Sequence, residues 1–222
     1  MVEVIKVGGS LAEDSVSLIA LCEELSTLAK SYRILVVPGG GKFADVVREF
    51  YRNFSLSDTV AHKMGIISMD QFGLFLSNIT PNSQATYVLE EAGRLSSTGI
   101  LPIILPSNLM FHEDSLEHSW DVTSDSIAAY IASLLVAKKL ILVTDVDGIF
   151  TEDPKKNPNA RMIEKLSVNE LLDWNKRTSV DRFLPRILLK TKLDCYVVNG
   201  KHPERIKAIL DSEKTVCTQI IF

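Results

Sequence analysis

Four short stretches hold the residue types that handle phosphate: KVGGS at 6–10, PGGGKFAD at 38–45, WDVTSDSIAA at 120–129 and TDVDGIFTEDP at 144–154. In the first, Gly8 and Gly9 offer bare backbone whose amides can point at phosphate oxygens, with Ser10 beside them. Lys6 can reach forward along its strand to the same oxygens. A plain strand-to-helix turn with a surface lysine reads the same way, so this stretch needs a partner. In the second, Gly39, Gly40 and Gly41 pack nothing and lose much entropy on folding, so something there requires bare backbone. Two specific readings fail. The G-x-G-x-x-A match at Gly39, Gly41 and Ala44 suits a dinucleotide only after a first strand, and another Gly-Gly turn already follows that one. A Walker A loop needs a leading glycine where Val36 stands and a Ser or Thr where Phe43 stands. A general anion cradle survives both.

Asp125 falls in the first turn of a helix, where a carboxylate often does no more than favour the dipole. The alternative is an acid that orients ammonium groups around a moving phosphoryl, and it requires Lys6 nearby. The fourth stretch packs Thr144, Asp145, Gly148, Phe150, Asp153 and Pro154 behind an apolar run. A calcium loop is excluded, because Thr144 and Pro154 occupy positions that need acids. The turn suits an adenine and ribose instead: backbone groups read the base, Phe150 supplies an apolar wall, and Asp153-Pro154 fixes the exit. The histidines His62, His112, His118 and His202 lack metal-ligand spacing and read as surface or loop residues. No metal ligand is assigned, and no G-x-S-x-G elbow is seen.

These stretches must be held by something. VEVIKV, RILVVP, LPIILP, KLILVT, DCYVVNG and VCTQIIF read as buried strands, short and rich in β-branched residues. Between them, Leu18, Leu21, Cys22, Leu25, Leu28 and Ala29 share a helical face, as do Phe43, Val46, Val47 and Phe50. SDSIAAYIASLLVA is helical with Thr123 or Ser124 as N-cap, and PERIKAIL opens a helix with proline. The polar MFHEDSLEHSWD reads as a loop over the sheet's edge or mouth, and EDPKKNPNARMIEKL as an exposed hairpin or excursion. Alternating strands and helices predict a mostly parallel sheet covered on both faces, with ligands at the carboxyl ends of the strands.

The chain has 222 residues, 46% hydrophobic and 23% charged, with net charge −4. That suits one large domain or two small lobes sharing a sheet and offers no basic stripe for nucleic acid. Three cysteines without C-x-x-C spacing point to a reducing cytoplasm. No secretory leader is expected, and no apolar run approaches the ~18 residues that span a membrane.

Taken together, KVGGS, VPGGG, TSDSIAA, TDVDGIFTEDP and VVNGKHPERI resemble the amino acid kinase superfamily, in family order and over nearly the whole chain. The resemblance implies a three-layer α/β/α sandwich around a mainly parallel sheet, one domain over 1–222. It implies an acceptor-binding lobe of about 1–137 and a nucleotide-binding lobe of about 138–222. It implies transfer from ATP, with Mg2+, to a small phosphorylated acceptor. Lys6 would steady the phosphoryl group, Gly8, Gly9, Ser10, Gly39, Gly40 and Gly41 would cradle phosphates, and Asp125 would organise the lysines. Thr144, Asp145, Gly148, Phe150, Asp153 and Pro154 would hold the nucleotide, with Phe150 where the family commonly has tyrosine. Relatives are commonly dimers or hexamers, which implies a homo-oligomer.

Two departures stand out. VDRFLPR replaces a late GGM-x-P and its lysine, leaving Arg186 as the stand-in, with Arg182 and Lys190 competing. Asp45 stands where isopentenyl phosphate kinases carry histidine, which suits an acceptor bearing an amine. HSWDVTSDSIAA is most similar to the branch of methanofuran synthesis, whose acceptor is 5-(aminomethyl)furan-3-ylmethyl phosphate. Uridylate kinase is the runner-up, isopentenyl phosphate kinase a further alternative, and a non-catalytic nucleotide sensor the alternative of another class.

Overall fold

The computed structural model describes residues 2–113, 115–174 and 178–222. Its centre is β1 (Glu3–Val7), paired in parallel with β2 (Ile34–Pro38) on one side. The two-residue period of a strand divides its side chains cleanly. Ile5 and Val7 enter one apolar cluster, with α1 (Ser15–Ala29) above them, and Val4 points the other way. Lys6 shares the Val4 side. The predicted stripe of α1 is buried from Leu18 to Ala29, and Asp14 caps the helix by accepting from the Ser17 amide at 3.1 Å.

After β2 come α2 (Gly41–Phe54) and α3 (Asp58–Ile79), then β3 (Ser83–Thr86), α4 (Leu89–Ser97), β4 (Leu101–Ile104) and α5 (Ser107–Glu113). α6 (Ser124–Leu134) lies over the Val4 side of the sheet and leads into β5 (Lys139–Thr144). A short ribbon of β6 (Ile149–Phe150) and β7 (Met162–Ile163) follows, then β8 (Lys165–Ser167) and α7 (Val168–Asp173). The chain then runs through α8 (Leu184–Thr191), β9 (Asp194–Asn199), α9 (Glu204–Leu210) and β10 (Thr218–Ile221). Among the described residues the main sheet has the order β3-β4-β2-β1-β5-β9-β10-β8. Only the β9–β10 pairing within it is antiparallel. The predicted three-layer sandwich with a mainly parallel sheet is the observed fold.

Several expectations are corrected. Phe43, Val46 and Phe50 do form a stripe on α2, but each is 43–50% exposed, and it is Ala44 and Val47 that pack inward. α3 was absent from the sequence reading because buried His62, Ser68, Asp70 and Gly73 interrupt its apolar period. Its start was nonetheless written in Ser57, whose hydroxyl accepts from the Val60 amide. Strands β3 and β8 are polar edge strands with no apolar run to betray them. Part of the predicted polar loop is helical in α5, and the predicted hairpin or excursion carries β7, which pairs antiparallel with β6 just before it.

Candidate active site

Parallel register brings the loops that follow β1, β2 and β5 to the same end of the sheet. Lys6 leaves β1 toward α6, and its ammonium meets the Asp125 carboxylate at 2.8 Å, with 11% and 8% of the two side chains exposed. A charge pair this deep is held because breaking it strands an ion in low dielectric. Asp125 is therefore more than a helix-end carboxylate. Its second oxygen accepts from the Asp181 amide at 3.1 Å.

Around the ammonium the glycines set the shape. A Cβ at Gly9 would lie 2.2 Å from both N and Cα of Gly41, so the first and second loops touch backbone to backbone and any side chain there would force them apart. A Cβ at Gly8 would lie 3.7 Å from Lys6 Nζ and 3.6 Å from Thr144 Cα. One at Gly39 would lie 3.5 Å from Ser124 Oγ. The amides divide differently from the expectation. Gly8 donates to the Val143 carbonyl and Gly39 to that of Val7, both at 2.8 Å, so these two brace the loops instead of facing a ligand. The first-turn amides of α2, beginning at Gly41, lack partners within the helix and remain for an anion.

Asp181 was missed by sequence reasoning, and it organises this region. Fully buried, it accepts from the amides of Thr123, Ser126, Phe183 and Leu184 and from the hydroxyls of Thr123 and Ser126. It thereby ties the start of α6 to the start of α8. Thr123 occupies the N-cap position, but its hydroxyl goes to Asp181 instead of capping. Burial, and next the Asp125 carboxylate, push the Asp181 carboxyl up to about 6.

All six residues expected at the nucleotide line one open cavity of about 1370 Å3, counting its mouth. Phe150 and Pro154 supply apolar wall there. Asp145 accepts from Thr144 at 3.3 Å and is ion-paired with Lys155. Burial raises its carboxyl, but Lys155, with help from the Ser10 hydroxyl, outweighs this and holds it below the usual range. Asp147 is held at 2.6 Å by Arg205 and at 3.2 Å by Asn199, so the fourth stretch and VVNGKHPERI meet in space. Asp153 fixes the turn by accepting from the Lys155 amide at 3.0 Å.

A second cleft of about 520 Å3 opens on the other side of the glycine loops, lined by Gly40, Arg48, Asp58, His62, Trp120 and Ser124 among others. His62 is buried there and stacks on His118 with centroids 4.6 Å apart, which corrects its reading as a surface residue. Asp45 is not part of this wall. Its carboxylate is 69% exposed and pairs with Arg48 at 2.7 Å, so the carboxylate in the cleft is Asp58. Arg186 also departs from expectation: it is 60% exposed, faces Glu117 at 3.8 Å and lies over the Phe183 ring. The structure does not bring it to Lys6. The cation beside the Thr144–Asp145 turn is Lys155, which the sequence reading overlooked inside a solvent-facing charge run. Among the described residues no group of three or more His, Cys, Asp or Glu is arranged to hold a metal ion.

The sequence model of the amino acid kinase family matches residues 1–199. The chain is 36% identical over 220 residues to the [5-(aminomethyl)furan-3-yl]methyl phosphate kinase of Methanocaldococcus jannaschii, covering 98% of this chain and 97% of that protein. It is 28% identical over 197 residues to the uridylate kinase of Pyrococcus abyssi, covering 84% and 83%. Among solved structures, the uridylate kinase from Archaeoglobus fulgidus superposes with a TM-score of 0.77 at 25% identity, over 99% of this chain and 100% of the other.

Proposed function

The chain belongs to the amino acid kinase family, and from that premise we propose that it transfers the γ-phosphoryl of ATP to the phosphate of 5-(aminomethyl)furan-3-ylmethyl phosphate. One observation carries the proposal. The buried Lys6–Asp125 pair lies beside glycine loops that border two cavities, one by Thr144 and one by Ser124. The larger cavity suits ATP and the smaller a compact monoester. The assignment supports an acceptor lobe of about 1–137 and a nucleotide lobe of about 138–222.

Phosphoryl transfer asks for alignment and for positive charge on the moving oxygens. Lys6 supplies that charge, and Asp125 holds its ammonium in place. The amides at the start of α2 bind phosphate oxygens, and Lys155 is the second cation within reach of the nucleotide cavity. The acceptor phosphate is already ionised at neutral pH, so no side chain has to remove a proton. Mg2+, carried in on the nucleotide, would neutralise charge between phosphates, an ion that proteins commonly hold through few side chains and many waters.

A coupled ADP-release assay over a panel of monoesters tests the acceptor. Turnover with the furan phosphate and none with UMP or isopentenyl phosphate is expected. Preference for UMP would move the protein to the uridylate kinase reading that its Pyrococcus and Archaeoglobus relatives favour. Silence with every acceptor would make it a nucleotide-binding sensor.

A homo-oligomer is part of the proposal. Phe43, Val46, Phe50 and Phe54 form an exposed apolar stripe on α2, an arrangement that a monomer rarely leaves in water. Sedimentation should report a dimer or larger for the wild type and a lighter species for Phe50→Glu; a monomeric wild type contradicts this. The free cysteines support a reducing, cytoplasmic setting. Among the described residues no helix is long and apolar enough to cross a membrane.

A further inference from the structure

The acceptor cleft holds charges of both signs, and they are not equally matched. Arg48 reaches it with its guanidinium 4.9 Å from the Trp120 ring centre, but that cation is already answered by Asp45. Among the described residues, Asp58 is answered by no cation. In the first turn of α3, its carboxylate takes only the Tyr51 hydroxyl, at 2.7 Å, and Tyr51 in turn meets the Trp120 ring edge to face at 5.8 Å. A neutral donor leaves the carboxylate its full charge. The cleft therefore presents one negative group that no described cation answers, which attracts an organic ammonium.

We infer that Asp58 is the specificity-determining residue of the acceptor cleft, selecting a phosphomonoester that carries a primary ammonium over a neutral one of similar size. The inference rests on the reading of this cleft as the acceptor's. It transfers to Asp58 the role that sequence alone gave to Asp45. An ammonium donating to Asp58 forms a charge-assisted hydrogen bond, and the Tyr51 hydroxyl fixes the orientation of the accepting carboxylate. Its phosphate end then has the far end of the cleft, at Gly40 and Ser124, nearest the Lys6 side.

The test compares kcat/KM for 5-(aminomethyl)furan-3-ylmethyl phosphate with that for its 5-methyl analogue, in wild type, Asp58→Asn and Asp58→Glu. Asparagine still accepts from Tyr51, so folding is preserved while the charge is removed. Wild type is expected to favour the amine by about 10- to 100-fold, the worth of one hydrogen bond between charged groups. That ratio should collapse toward one in Asp58→Asn and persist in part in Asp58→Glu. A wild type indifferent to the amine, or an Asp58→Asn enzyme that keeps the preference, overturns the inference while leaving the kinase reading intact. If wild type turns over neither compound, the proposed acceptor fails, and calorimetric binding of the two compounds decides for Asp58. A preference for the amine that Asp58→Asn abolishes supports the inference, and equal binding refutes it.

Discussion

Lys6→Met should lower kcat for phosphoryl transfer by at least about 10³-fold while changing the KM for ATP little, because the lost charge acts on the moving group. The fall has to be separated from damage to the fold. Methionine keeps the length of the side chain but leaves Asp125 as a buried carboxylate without its ammonium, 2.8 Å away in the wild type. Stranding one member of such a pair costs about 3–5 kcal/mol. The double variant Lys6→Met/Asp125→Asn removes both charges and retains an oxygen for the Asp181 amide. It should recover most of the lost stability and none of the lost turnover, as read by thermal melts and steady-state kinetics. Recovered turnover would show that Lys6 serves only the fold.

The second large effect lies at Asp181, a positioning residue. Asp181→Ala strands the amides of Thr123, Ser126 and Leu184 and two hydroxyls at the joined starts of α6 and α8, while the Phe183 amide keeps the Asp121 carbonyl at 3.2 Å. Unmet buried donors cost about 1–3 kcal/mol each, and after relaxation the total should be about 4 kcal/mol, or roughly 10 °C in Tm. Asp125 then loses its fixed place, so kcat falls while the KM for ATP moves little.

The pH dependence carries a sign. The folded carboxyl is raised to about 6 from 3.8, so its contribution to stability is complete below about 4 and is lost as pH rises through 6. The Tm gap between wild type and Asp181→Ala should therefore narrow over that window. A gap that widens with pH would reverse the assigned shift.

How much of this the sequence discloses depends on the kind of signal. The central strands are legible because burial on both faces leaves them nothing but apolar residues around Lys6. The glycine loops are legible because bare backbone is expensive and is kept where something must come close. Edge strands such as Ser83–Thr86 are half-wetted and give no such pattern. α3 escapes notice because its inward face carries a histidine, a serine and an aspartate that suit a cleft better than a core.

Asp181 is a harder case. Its importance comes from six donors converging on it from two separate segments, which no local spacing records. Asp45, expected at the acceptor's amine, departs from that place for a related reason. Proximity to the glycine loop in sequence favoured Asp45, but the turn of α2 points it outward to Arg48, and the next helix brings Asp58 in. Arg186 is expected from its place in VDRFLPR and its charge, but its side chain faces Glu117.

The most direct measurement is a phosphorus NMR spectrum of the protein with ATP, Mg2+ and 5-(aminomethyl)furan-3-ylmethyl phosphate. Two coupled doublets of a new diphosphate ester should grow as the monoester singlet and the γ-resonance of ATP disappear, and Lys6→Met should leave the spectrum still. ATP consumed to inorganic phosphate with the monoester untouched would contradict the account.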